Sequence, residues 1–180
     1  MVIMDDVRTG IVTAAERVFD RHGFAGSGVD RLTDAAKVSS RTLYKHLGSK
    51  NALISAVLDS RRERFFTAHN ADSVDALEQW IDTEGARGCF FLRAEGEGID
   101  DGGAVTAAVS AYRADLGELT RRIVMTETGR DDDALAEQLL VLFEGATSAA
   151  SYRGRGAIAA ARTAAAGLMS HGNADRGVNA

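Results

Sequence analysis

Eight side chains of this chain have the types and the spacing to grip a polyanion. Ser40, Arg41, Thr42, Tyr44, Lys45 and His46 crowd into one short run, Ser27 precedes them and Lys50 follows. The run supplies hydroxyls, a guanidinium, an ammonium and an imidazole, and it contains no carboxylate. A helix with such a face suits the major groove of double-stranded DNA, where donors and cations meet base edges and phosphates. A guanidinium matches the paired acceptors of guanine, so Arg41, with Ser40 and Lys45, is expected at base edges. Ser27, Thr42, Tyr44, His46 and Lys50 are expected at phosphates, which set the register of a reading helix without reading sequence. An ordinary solvated helix face is the bland alternative. Against it stands the setting, because all three lysines, Lys37, Lys45 and Lys50, fall between Gly23 and Leu53.

Other chemistry is thinly represented. His22, His46, His69 and His171 show no metal-ligand spacing, Ser148 and Ser151 lack a basic partner at a telling distance, and Cys89 lies among aromatics, where a thiol is usually inert. Glu95, Glu97, Asp100 and Asp101 lack the pattern of a calcium loop. Neither a metal nor a cofactor is therefore expected, and a small helical enzyme is the weakest reading. One cysteine excludes an internal disulfide framework and fits a reducing compartment. No apolar run approaches a membrane span and Met1 to Met4 is too short for a signal peptide, so a soluble, cytoplasmic protein is expected.

The net charge of −5 hides an asymmetry. Met1 to Phe65 holds 11 lysines and arginines against 8 acids, a net +3, and Phe66 to Ala180 holds 10 against 18, a net −8. The positive field is thus at one end, where a nucleic acid would be met.

The elements that must position these side chains follow from periodicity. The absence of proline and the presence of 31 alanines point to an all-α chain. Val7, Ile11, Ala14, Ala15, Val18 and Phe19 trace one face of a first helix that stops at Gly23. Val29, Leu32 and Ala36 stripe a second, and Val38, Leu43 and Leu47 a third. Ser27 with Asp30 has the form of a capping box, Ser39 is placed to cap the third helix, and Gly48 with Ser49 ends it. A longer helix carries Leu53, Ala56 and Val57 to about Ala68, and its run Arg61, Arg62, Glu63, Arg64 reads as a solvated face.

Beyond the polar stretch His69 to Ser73, Val74, Leu77 and Ile81 begin a helical bundle. Its longest stripe is Val105, Ala108, Val109, Tyr112, Leu116, Leu119 and Ile123. The glycine- and acid-rich residues after Leu92 read as a loop. Two further helices close the chain, the first capped by Asp131 to Asp133 and carrying Leu135, Leu139, Leu142 and Phe143. Gly145, Ala149, Ala150, Ala159, Ala160 and Ala164 allow close approach of helices, either within one subunit or between two.

From Ile11 to Val57 the chain resembles the tetracycline-repressor family of bacterial transcriptional regulators. The resemblance rests on Phe19 to Phe24 (FDRHGF), the helix-turn-helix, and Thr42, Leu43, Tyr44, Lys45, His46, Leu47, Gly48, Ser49, Lys50 and Leu53. Two positions depart from the pattern. Lys37 occupies a turn position that is often glycine, which implies left-handed backbone strain, and Thr33 stands where alanine is usual. The resemblance implies a three-helix DNA-binding domain over 1–48, a connecting helix over 49–68, a ligand-binding and dimerisation bundle over 69–171 and a frayed tail over 172–180. It implies a homodimer paired through the last two helices, a near-palindromic operator, and a small-molecule effector that releases the DNA. Trp80, Phe91, Tyr112, Leu116 and Phe143, which recur on inward faces of different helices, are the expected lining of an apolar effector pocket. A DNA-binding architectural protein without an effector is the alternative; the size of the second domain, more than docking requires, argues against it.

Overall fold

The computed structural model describes residues 2–68, 73–83, 87–99 and 103–174, and among these the chain is all-α. The helices are α1 (Val2–His22), α2 (Val29–Ala36), α3 (Ser40–Leu47), α4 (Lys50–Ala68), α5 (Val74–Thr83), α6 (Phe90–Gly96), α7 (Ala104–Thr128), α8 (Asp133–Arg153) and α9 (Arg155–Ala174). They divide into two compact units, one of Met1–Arg64 with Phe90–Tyr112 and the other of Phe65–Cys89 with Arg113–Ala180.

The first unit is organised by the turn after α1. Gly23, at φ +75°, reverses the chain, and its N–H closes on the Phe19 carbonyl at 2.9 Å. The reversal lays Phe24 on Phe19 with ring centroids 5.0 Å apart. Both rings are fully buried and join Ile11, Ala15, Leu32, Leu43, Leu53 and Val57 in one apolar core. The F-x-x-x-G-F spacing is thus a helix, a left-handed stop and an aromatic stack. Helix α2 packs on α1, and α3 packs on both.

The unit's composition differs from the division expected at residue 48. Phe90–Gly96 is helical where a loop was expected from Arg93 onward, and it belongs with the first unit. The reason lies on one face of α6. Phe90 packs edge-on against Phe24 with centroids 4.8 Å apart, and Arg93 donates to the Phe19 and Asp20 carbonyls at 3.3 and 3.2 Å. A guanidinium at the carbonyl end of α1 complements the helix dipole. Asp100 and Asp101 lie outside the described residues, as do 69–72 of the expected linker and 175–180 of the expected tail; α9 runs to Ala174.

Arg61 corrects the expectation of a solvated charged run. It is only 5% exposed and pairs with Glu16 of α1 at 2.8 Å, while Arg64 reaches the same carboxylate at 2.7 and 3.0 Å. The Arg61 guanidinium also lies 4.7 Å from the Phe90 ring centroid. Leu58, Arg61 and Phe65 recur at spacings of three and four, so Arg61 occupies a core position of α4 that its charge disguised in the sequence.

In the second unit α8 packs on α9, and α5 packs on both. Asp132 is the N-cap of α8, accepting from the Leu135 N–H at 3.0 Å. Phe65, Trp80 and Phe143 form an aromatic cluster, with Phe65 4.7 Å from Trp80 and 5.9 Å from Phe143 between centroids. Arg155 grips Asp82 with two bonds of 2.9 Å, and Arg162 bridges Asp75 and Glu78 at 3.3 and 3.1 Å.

Burial raises the Glu16 carboxyl, but hydrogen bonds and charge from Arg64 and Arg61 outweigh it and hold the group below the ordinary carboxylate value. Its stabilising contribution is therefore complete above the ordinary value and is lost as pH falls through the depressed one. Glu16→Gln is expected to cost about 3 kcal/mol at neutral pH, the usual scale for breaking a buried pair. Acid titration followed by circular dichroism should show a smaller loss of stability on acidification in the variant than in the parent.

Candidate nucleic-acid interface

Helix α3 is eight residues long, too short to persist alone, and is held by its caps and its buried side. Ser39 is the N-cap, its hydroxyl oxygen accepting from the Thr42 N–H at 3.1 Å and lying 2.9 Å from the Thr42 hydroxyl. Gly48, at φ +79°, ends the helix by donating to the Tyr44 carbonyl at 2.8 Å. Ser49 then accepts from the Ala52 N–H at 3.0 Å and starts α4. Leu43 and Leu47 point into the core.

With that side buried, the opposite side presents Ser40, Arg41, Tyr44 and Lys45, all exposed. Arg41 and Lys45 are one helical turn apart and share a face. Neither makes a hydrogen bond or ion pair with another described residue, so both cations are available to an incoming anion. Thr42 and His46 are half-buried at the margins of this face.

Lys50, in the first turn of α4, places its ammonium 3.5 Å from the Ala25 carbonyl. Burial pulls that ammonium below the ordinary lysine value, and the Glu97 carboxylate partly offsets the shift.

Ser27 departs from expectation. It is fully buried, its hydroxyl donates to the Gly23 carbonyl at 2.5 Å, and Gly28 occupies the N-cap position of α2 without a side-chain bond. The capping box is therefore absent, and the Ser27 hydroxyl is taken up by the turn after α1 and has no exposed surface. Thr33 is buried and turns its hydroxyl back to the Asp30 carbonyl at 2.9 Å, which satisfies it inside α2.

The residues expected to line an effector pocket are all buried, but they fall in both units. Phe91 and Tyr112 stack in the first unit with centroids 3.8 Å apart. Trp80, Leu116 and Phe143 lie in the second, where Phe143 borders a small apolar void with Leu77, Ile81, Leu139, Ile158 and Ala165. Sequence reasoning missed Glu97, whose carboxylate accepts from the Ala25 N–H at 2.6 Å. No local pattern could have revealed a partner 72 residues away.

Among the described residues no group of histidine, cysteine, aspartate and glutamate is arranged to hold a metal ion, and no helix is long and apolar enough to cross a membrane. Fold and site together define a helix-turn-helix protein of the all-helical class. Residues 11–57 match the family model of bacterial regulatory proteins of the tetR family. The structure is similar along its length to SCO4454, a TetR-family transcriptional regulator from Streptomyces coelicolor, with a TM-score of 0.81 at 25% identity, covering 94% of this chain and 97% of that one. The HTH-type transcriptional repressor SCO4008 from Streptomyces coelicolor is 33% identical over 72 residues, 40% of this chain and 37% of the repressor. The HTH-type transcriptional activator FasR from Mycolicibacterium smegmatis is 41% identical over 54 residues, 30% of this chain and 25% of the activator. These matches span about a quarter to just over a third of the curated relatives' length. The helix-turn-helix segment, residues 11–57, is thus that of the tetR family of bacterial regulatory proteins, and the fold of the described residues is that of a TetR-family regulator.

One residue of the helix-turn-helix carries backbone strain. Lys37, in the turn between α2 and α3, adopts φ +55° and ψ +42°, the sole non-glycine residue with positive φ among those described. A left-handed residue with a Cβ costs about 1–2 kcal/mol. Lys37→Gly is therefore expected to raise stability by up to about 1 kcal/mol once the extra freedom of glycine in the unfolded chain is deducted. Thermal denaturation of the two proteins measures the difference.

Proposed function

We propose that this protein is a DNA-binding transcriptional regulator that acts as a homodimer on a near-palindromic operator and responds to a small apolar effector. The observation that carries the reading is the outward face of α3, where Arg41 and Lys45 stand exposed and unpaired on a helix whose other side is locked in the core. Ser40, Arg41 and Lys45 are assigned to base edges. Thr42, Tyr44, His46 and Lys50 are assigned to phosphates. SCO4008 is named a repressor and FasR an activator, and repression is the direction proposed here.

Support for the dimer comes from α8 and α9. Val141 and Tyr152 are 60% and 75% exposed, and between them runs a broad groove floored by small residues, among them Gly145, Ala149, Gly156, Ala160 and Ala164. Large apolar side chains beside small ones suit the packing of helices against a second copy, and a two-fold pair would hold two reading helices about 34–36 Å apart. The effector arm is supported by the family resemblance and by a second unit larger than DNA docking needs. The void beside Phe143 measures about 30 Å³, far below the roughly 300–1,000 Å³ of a ligand pocket, so a ligand entering there would have to part α5, α8 and α9. To act as a switch it must bind one conformation more tightly than the other.

Arg41→Ala is expected to cost about 1–3 kcal/mol and to relax preference at one base position, whereas Lys50→Ala weakens all sequences alike and lowers the salt slope by about 1. Fluorescence anisotropy on duplexes selected from a random-sequence pool, with a salt titration, separates the two; unchanged affinity in both variants overturns the interface. Ala160→Glu, at an exposed position that can accept a carboxylate without disturbing the subunit core, is expected to give a folded monomer with weakened DNA binding. Sedimentation velocity reads the mass. A parent protein that is already monomeric at micromolar concentration defeats the dimer, and apolar compounds that raise thermal stability without changing DNA affinity leave the architectural alternative.

A further inference from the structure

Helix α6 presents one face to the turn that begins the helix-turn-helix. Phe90, Arg93 and Glu97 recur at i, i+3 and i+7, so they line the same side as the helix ends. Phe90 meets Phe24, Arg93 holds the last carbonyls of α1, and Glu97 reaches the turn itself. There the Ala25 backbone is used on both sides of its Cα: its N–H donates to Glu97 Oε2 at 2.6 Å, and its carbonyl, on the following peptide, lies 3.5 Å from Lys50 Nζ. The carboxylate fits closely, for a Cβ built on Gly23 would lie 2.9 Å from Glu97 Oε1.

We infer that Glu97 is a positioning residue for DNA binding, acting through the backbone of Ala25 to aim the Lys50 ammonium at the phosphate assigned to it. The inference rests on the DNA-binding reading above. A lysine side chain is a long, flexible tether, and a phosphate contact made by an ordered ammonium avoids the entropy of fixing it at binding. Ala25 lies in the turn between α1 and α2, where few bonds restrain its backbone. The 2.6 Å bond to Glu97 holds the Phe24–Ala25 peptide, so that only the Ala25 Cα separates a restrained unit from the carbonyl that Lys50 addresses. Glu97 and Lys50 do not form a direct ion pair in the structure, so the carboxylate orients the lysine without occupying it. An acidic residue near a DNA-facing surface would be expected to repel phosphate, yet here its charge is engaged by a backbone donor. The arrangement also makes α6 part of the DNA-reading unit: any displacement that withdraws Glu97 disorders Lys50 without touching α3.

Duplexes selected by the parent chain from a random-sequence pool provide the probe, with affinity read by anisotropy across a salt series. Glu97→Ala is expected to weaken binding about tenfold and to reduce the salt slope by about 1, the same signature as Lys50→Ala. In the Lys50→Ala background Glu97→Ala should add no further loss, since both remove one contact. Glu97→Gln, whose amide oxygen still accepts from the Ala25 N–H, should stay within about twofold of the parent, a rescue that separates hydrogen bonding from charge. Should Glu97→Ala fail to fold, Glu97→Asp, which keeps the charge and shortens the reach, serves in its place with the same expectations. Parent-like affinity in the folded truncated variant overturns the inference, as does a loss that persists undiminished without Lys50. Failure of the parent to select any duplex instead overturns the DNA-binding reading itself.

Discussion

Everything that α3 offers to a partner depends on the burial of Leu43 and Leu47. An eight-residue helix cannot pay its nucleation cost alone, so its conformation is borrowed from the core beneath it. Once those two leucines are seated against α1 and α2, the orientation of every other side chain on the helix follows from its 100° spacing. Arg41 and Lys45 are exposed because Leu43 and Leu47 are buried. The seat is itself built from the Phe19–Phe24 stack and the left-handed turn at Gly23, which bring the end of α1 under the start of the reading pair.

Local features were therefore legible in the sequence and distant ones were not. The stripes of α1 to α3, the Ser39 cap, the aspartate cap of α8 and the left-handed Lys37 all depend on residues within a few positions of one another. The outward face of α3 could be read from spacing alone. Arg61 could not, because a buried arginine looks like a solvated one until its partner is known, and Glu16 is 45 residues away. Ser27 misled for a related reason: a serine before a helix fits a cap by pattern, but the tight turn at Gly23 offered its hydroxyl a nearer acceptor. The place of α6 in the first unit was not legible either, because its attachment is made by three side chains scattered through a glycine- and acid-rich sequence.

The two units handle charge differently. In the first, three carboxylates are drawn into bonds, Glu16 by two guanidiniums, Asp20 by Arg93 at 3.5 Å and Glu97 by the Ala25 N–H, while Asp30 and Asp34 of α2 stay exposed. In the second, exposed acids remain in excess, and the pairs made by Arg155 and Arg162 lie at the surface, where each is worth little to stability. A cationic face on α3 thus coexists with an acidic protein, and under the proposed function its attraction to DNA would act only at close range, within about 10 Å at ordinary salt. Such a balance would disfavour indiscriminate adhesion to nucleic acid and leave discrimination to short-range contacts.

Gly23 illustrates how two unrelated demands can converge on one residue. Its φ of +75° penalises side chains on backbone grounds, and the approach of Glu97 opposes them on steric grounds. A shorter residue at 97 would lift the second restriction and leave the first intact. Positions 23 and 97 are consequently not free to drift as a compensating pair. Among descendants of this sequence the glycine would be retained even in lineages that had dispensed with the carboxylate, whereas loss of the glycine would require the whole turn, and the aromatic stack it creates, to be rebuilt.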